Sequence, residues 1–182
     1  MHLLTRLLVF AGTAACAACG SPPASQPPLP TVAQVDLARY VGSWYEIALL
    51  PNRFQKQCVA DTQANYRLDG ERVEVINRCR AADGRVDDIK GHAKVVPGSG
   101  NARLRVSFFW PIYGDYWIVA LAPDYRHVLV GTPGRDYAWV LSRTPQMDEL
   151  VLNGLLDRAA ALGFDRGAFR RTPQTQPLPA AS

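Results

Sequence analysis

Eight short segments between Gly42 and Arg143 mostly alternate apolar and polar residues, and turn chemistry interrupts them about every ten residues. Period two places successive side chains on opposite faces, so each segment reads as a half-buried strand rather than a helix. Strands are predicted over 42–50, 59–68, 72–80, 85–96, 102–110, 116–121, 127–131 and 137–143. Asp69-Gly70, Asp83-Gly84 and the run PGSGN at 97–101 supply the turns. Short connections between consecutive strands make the chain all-β, an eight-stranded antiparallel up-and-down β-barrel. Closure removes exposed edges, and a barrel of this strand number encloses room for one small ligand. In the first strand Trp44, Glu46, Ala48 and Leu50 share a face.

One helix is predicted to follow the last strand and pack on the barrel wall. Thr144 is placed to cap it, Pro145 suits its first turn, Asp148 and Glu149 complement its dipole, and Gly163 ends it. Met147, Val151, Leu155, Arg158 and Leu162 form the stripe expected to dock.

The ends of the chain differ in composition from this middle. Arg6 precedes an apolar and small-residue run from Leu7 to Ala18, too short to span a bilayer, so 1–18 reads as a signal peptide. Ala17-Ala18-Cys19-Gly20-Ser21 resembles the lipobox of bacterial lipoproteins, which implies cleavage before Cys19 and acylation of it; Cys16 is a competing site. By the same resemblance, the lack of an aspartate after either cysteine implies the outer membrane. Residues 19–34 are expected to be a Pro-rich spacer, 35–171 the folded domain, and 172–182 a disordered tail. A net charge of +4 does not imply a nucleic-acid partner, because the basic residues are interspersed with acidic ones.

Cys58 and Cys79 are the cysteines left to the domain. A two-residue turn at Asp69-Gly70 would put them on one face, diagonal by two, at about 7–8 Å, just beyond the usual reach of a disulfide. A bulge or strong twist would close that distance, and in an oxidising compartment a disulfide is expected. A free nucleophilic thiol is the alternative.

Catalytic constellations are otherwise thin. His92 and His127 show no metal-ligand spacing, and no phosphate-binding glycine loop or nucleophile elbow is present. The reading is binding without metal, cofactor or catalysis. SFFWPIYGDYW, 107–117, concentrates aromatic residues at one connection, where they could line a cavity mouth, form a subunit contact or face a membrane. Candidate ligand contacts are Tyr45, Tyr66, Asn77, Phe108, Trp110, Tyr113, Tyr116 and Trp139, with Asn77 orienting a head group; Arg78, Arg80 and Arg105 could meet an anionic group.

YVGSWYEIA at 40–48, RVSFFWPIYGDYWIVAL at 105–121 and YRHVLVGTPGRDYAWVLSRTP at 125–145 resemble the lipocalin family, especially its bacterial outer-membrane lipoproteins and apolipoprotein-D-like members. The resemblance implies that Gly42, Trp44, Asp124, Tyr125 and Arg143 hold the closed end of the barrel, with Arg143 over the Trp44 ring. It implies a lysophospholipid or fatty acid ligand taken up from the open end and stored or transported in the cell envelope; a homodimer is the further expectation from the aromatic segment at 107–117. An interaction module docking a protein through the aromatic segment, and a thiol-dependent enzyme on the same barrel, are the alternatives.

Overall fold

The computed structural model describes residues 26–178; residues 1–18 and Cys19 lie outside them. Strands β1 (Gly42–Leu49), β2 (Cys58–Asp69), β3 (Arg72–Ala81), β4 (Val86–Val95), β5 (Arg103–Phe109), β6 (Ile112–Leu121), β7 (His127–Gly131) and β8 (Ala138–Ser142) pair antiparallel with their sequence neighbours. Pairing of β1 with both β2 and β8 closes the barrel. Helix α2 (Glu149–Ala161) lies on the wall, as alternation followed by a helical period implied. Among the described residues no helix is long and apolar enough to cross a membrane.

The apolar side chains divide into two sets by strand face. Trp44, Val73, Val75, Ala93, Leu104, Ile118, Val130 and Leu141 fill the barrel. Ile47, Val119, Leu129 and Val140 point outward and meet α2. The docked face of α2 is Leu152, Leu155, Leu156 and Ala159, with Met147 and Leu162 of the expected stripe packed beside it and Arg158 exposed, and its N-cap is Asp148, which accepts from the backbone of Leu150 and Val151. Capping at Asp148 instead of Thr144 shortens the helix and sets its rotation against the wall.

A one-turn helix absent from the sequence reading, α1 (Leu37–Tyr40), plugs the end where β1 begins. Asp36 caps it by accepting from Ala38 N at 2.9 Å. This is the closed end. The opposite end, the mouth, carries the β1–β2, β3–β4, β5–β6 and β7–β8 connections.

The β2–β3 turn falls one residue later than expected, at Gly70-Glu71, because Asp69 pairs with Arg72. Gly70 has φ +58° and takes the first central position, where a two-residue hairpin turn needs positive φ. The shift preserves parity, so Cys58 and Cys79 stay on one face. Between Gln63 and Cys58 two extra residues are bulged into β2, with Asp61 at φ 55°, and the cysteines come to a Cα separation of 5.5 Å and bond. They stand 21 positions apart in sequence. For a loop of that length, reduction is expected to lower stability by about 3 kcal/mol in a urea unfolding series; a change under about 1 kcal/mol would show that the bulge, not the bond, holds this corner.

Both proline-rich ends differ from expectation. Leu29 is buried against the α2 face and Val32 N donates to Ile118 O at 3.0 Å, so the described part of the spacer is docked on the barrel. At the other end β9 (Arg170–Arg171) pairs with the last residues of β1, and the chain continues as a strap between β1 and β2. Thr172 N donates to Ile47 O at 3.0 Å, Gln174 Nε2 to Glu46 O at 2.8 Å, and Asp61 N to Pro173 O at 2.8 Å. The tail is therefore ordered to Gln176, because unpaired backbone groups along the upper β1–β2 seam give its own carbonyl and amide groups partners.

Candidate functional site

At the closed end Trp44 is wholly buried and donates from Nε1 to Tyr40 O at 2.8 Å. The Arg143 guanidinium lies 3.8 Å from the ring centroid and donates to the carbonyls of Arg39, Tyr40 and Ser43. Gly42 opens β1 beside that guanidinium. Asp124 accepts from Arg126 N in the β6–β7 turn, while the Tyr125 hydroxyl accepts from Asp36 N, tying that turn to α1. These residues build a floor.

Above the floor three tyrosines meet inside the barrel. The Tyr116 hydroxyl is 2.7 Å from that of Tyr40 and 3.1 Å from that of Tyr66. Burial pushes the Tyr66 hydroxyl up to about 12 and raises Tyr40 and Tyr116 well above the ordinary phenol value, so the cluster stays neutral. Valine, alanine and leucine side chains of β3, β4 and β5 surround it, around a cavity of ≈ 20 Å³. That is room for about one water.

Nearer the mouth, Asn77 shares the inward face of Val73 and Val75, and its Oδ1 is buried with no hydrogen-bond partner in the protein. Phe108 also packs into the barrel, across Gly91, where an added Cβ would stand 2.7 Å from its ring. Only glycine leaves that space. Trp139 faces inward and donates from Nε1 to Gln55 Oε1 at 2.9 Å.

Of the predicted contacts, Tyr66, Asn77, Phe108, Tyr116 and Trp139 are brought together in the interior. Tyr45 and Tyr113 are not. Tyr45 follows the inward Trp44 and so packs in the cluster outside the wall, and Tyr113 lies three residues from the inward Tyr116, hydrogen-bonded to His92 on the outer face at 2.9 Å. Trp110 is exposed at the mouth. Arg105 stands outside beside Tyr113, Arg80 is paired to Asp61, and Arg78 is buried on the face opposite Asn77. Tyr40, which precedes the first strand, carried no period-two signal and was missed.

A second polar knot controls the mouth. Glu46 is buried, and its carboxylate accepts from Gln55 Nε2 at 2.7 Å and from the Thr172 hydroxyl. Gln55 also takes Asn52 Nδ2 at 2.9 Å, so one carboxylate latches the β1–β2 loop and the strap. Burial raises the Glu46 carboxyl above the ordinary glutamate value, against those hydrogen bonds. The folded state then holds a proton that the unfolded chain releases, so stability falls as pH rises from the ordinary value, about 4.3, to the raised one, and is flat beyond. Glu46→Gln is expected to flatten that part of a Tm-against-pH curve. An unchanged slope would assign it to another group.

Cys58 and Cys79 are bonded to one another, so neither is the free thiolate that the enzyme alternative requires. Among the described residues no three His, Cys, Asp or Glu side chains gather as a metal site would need.

The lipocalin-like domain family matches residues 35–174. The outer membrane lipoprotein Blc of Escherichia coli (strain K12) is 40% identical over 167 residues, covering 89% of this chain and 93% of that protein. Apolipoprotein D of Mus musculus is 33% identical over 168 residues, covering 86% and 82%. Insecticyanin of the tobacco hornworm Manduca sexta superposes with a TM-score of 0.70 at 21% identity, over 85% of this chain and 89% of that one, and shares the fold. With the family match spanning the whole barrel and the closed-end floor in place, this chain belongs to the lipocalins.

Proposed function

We propose that this protein binds one single-chain amphiphile, a lysophospholipid or a fatty acid, inside its barrel, and stores or transfers it while anchored to the outer membrane through an acylated Cys19. The observation that carries the reading is a closed barrel with an apolar interior into which, among the described residues, Asn77 turns a buried Oδ1 that has no protein partner. Apolar walls take a chain; the orphan acceptor calls for a donor on the head group, a hydroxyl or an ammonium. A bare carboxylate offers none, which favours the lysophospholipid over the fatty acid.

Burying about fifteen methylenes is worth on the order of 12 kcal/mol gross, but a micelle offers the tail the same burial. Selectivity therefore resides in the head group and in chain shape. A cavity of ≈ 20 Å³ does not hold such a chain, so entry turns Phe108 off Gly91. The anchoring reading draws on the lipobox-like Cys19 and on the name of the Blc relative, an outer membrane lipoprotein.

The test is mass spectrometry of organic extracts from protein purified without detergent, followed by titration of the delipidated protein with lysophospholipid while reading tryptophan emission. Saturation near one ligand per barrel is the expected result. Asn77→Val is expected to weaken a hydroxyl- or ammonium-bearing amphiphile about tenfold, the value of one hydrogen bond to a buried acceptor, and to leave a fatty acid unchanged. A barrel that ignores every amphiphile offered overturns the reading.

A further inference from the structure

Among the described residues most of the large apolar side chains that remain exposed lie toward the mouth, Leu68 and Leu150 apart. Phe109, Trp110 and Ile112, at the β5–β6 turn, are 70%, 80% and 74% exposed, and Phe54, in the β1–β2 loop, is 59% exposed. In an eight-stranded barrel those two connections stand on opposite sides of the mouth, so a flat surface touching both covers the opening. The β1–β2 loop, 50–57, adds the exposed cations Arg53 and Lys56 and no acid. Aromatic side chains beside cations on a rim suit the interface of an anionic bilayer.

The path of the chain points the same way. Arg135, in the β7–β8 connection at the mouth, donates from Nη2 to Pro27 O at 2.7 Å, so the described chain begins at the mouth rather than at the floor. From Cys19 to Gln26 the sequence spans at most about 25 Å fully extended, no more than the height of the tilted wall. A tether so short, entering at the mouth, cannot place the floor on the membrane without being stretched to its limit.

We propose that the mouth is a bilayer-docking surface: Phe109, Trp110, Ile112 and Phe54 enter the lipid interface, Arg53 and Lys56 meet anionic head groups, and the barrel opens directly onto the membrane. A ligand then passes between bilayer and barrel without crossing water. The inference rests on the envelope lipid-binding reading for its choice of a bilayer as the surface.

The test uses the chain from Cys19 onward carrying Cys19→Ser, with vesicles of phosphatidylethanolamine and phosphatidylglycerol whose acyl chains carry bromine. Trp110 emission is expected to shift to the blue and be quenched as protein partitions. The double variant Phe109→Ser, Ile112→Ser keeps Trp110 as reporter, removes only exposed side chains, and is expected to partition at least about tenfold more weakly with an unchanged Tm. Absence of quenching at high lipid, or equal partition of the variant, overturns the proposal. So does a dimer that the double variant dissolves while neither form binds vesicles, which would assign the rim to a second copy of the chain. Acylation of Cys19 is read separately from the intact mass of the native protein, and ligand binding from the titration above, so failure of either leaves the docking measurement standing.

Discussion

Replacing Trp44 with alanine is expected to lower stability by about 3–5 kcal/mol, the usual cost of emptying a buried tryptophan site. Three losses combine. The indole is wholly buried among strands from both sides of the barrel. Its N–H satisfies the Tyr40 carbonyl at 2.8 Å, at the end of α1. Its face carries the Arg143 guanidinium at 3.8 Å, a contact worth about 0.5–2 kcal/mol. Arg143 is the part that cannot relax, because carbonyls of Arg39, Tyr40 and Ser43 hold it over the space the ring would leave. Urea unfolding of Trp44→Ala, Arg143→Ala and the double variant reads the sum and the coupling. A loss below about 1 kcal/mol for the single tryptophan variant would mean that α1, not the indole, closes the barrel.

Asp61→Ala is expected to cost a similar amount, about 3–5 kcal/mol, for a different reason. Asp61 is fully buried at the bulge in β2, where Arg80 Nε lies 2.7 Å from one carboxylate oxygen and the Thr175 hydroxyl and the Thr175 and Gln176 amides donate to the group. Alanine would leave a guanidinium and two amides without their acceptor. Burial opposes ionisation of Asp61, but Arg80 and the strap amides outweigh it and hold the carboxyl below the ordinary aspartate value. An acid lowered in the folded state adds stability that is complete above its unfolded value, about 3.9, and is lost as pH falls through the folded one. The difference between wild type and Asp61→Ala should therefore shrink on acidification. Urea midpoints at neutral and acid pH measure it. Truncation after Arg171 should reproduce most of the loss, and the two changes together should add little, since both break one knot. Full additivity would separate strap from bulge.

The barrel was legible because period-two alternation survives in most strands, and the turn dipeptides divide them. The interior was legible where that period was followed through: once Trp44 points inward, Tyr45 must point outward, and Tyr113 and Tyr116, three apart, cannot share a face. Treating the aromatic run as one site blurred that rule. Tyr40 sits in a single helical turn too short to leave a pattern, and its place in the tyrosine cluster depends on β2 and β6 arriving from far along the chain. Proline-rich ends carry no periodicity at all, so composition could not show that Leu29 fills a notch beside α2 or that Gln174 bridges Glu46 and Thr62. Those contacts exist because the folded barrel presents them, and a linear reading has no term for that.

The strap also fixes an order of assembly. Asp61 and Thr175 are 114 residues apart in sequence, and their contact lies on the seam where the sheet joins itself. The hairpins from β2 to β7 can form as the chain lengthens, each from neighbours already made. The upper seam has to wait for residues that leave a ribosome more than a hundred positions after β2 begins. Until then the wall stands partly unzipped, and completion of the cup marks the arrival of the strap. Arresting release of a chain lengthened at its C-terminus should leave it open to protease at the β1–β2 loop, and release should close it.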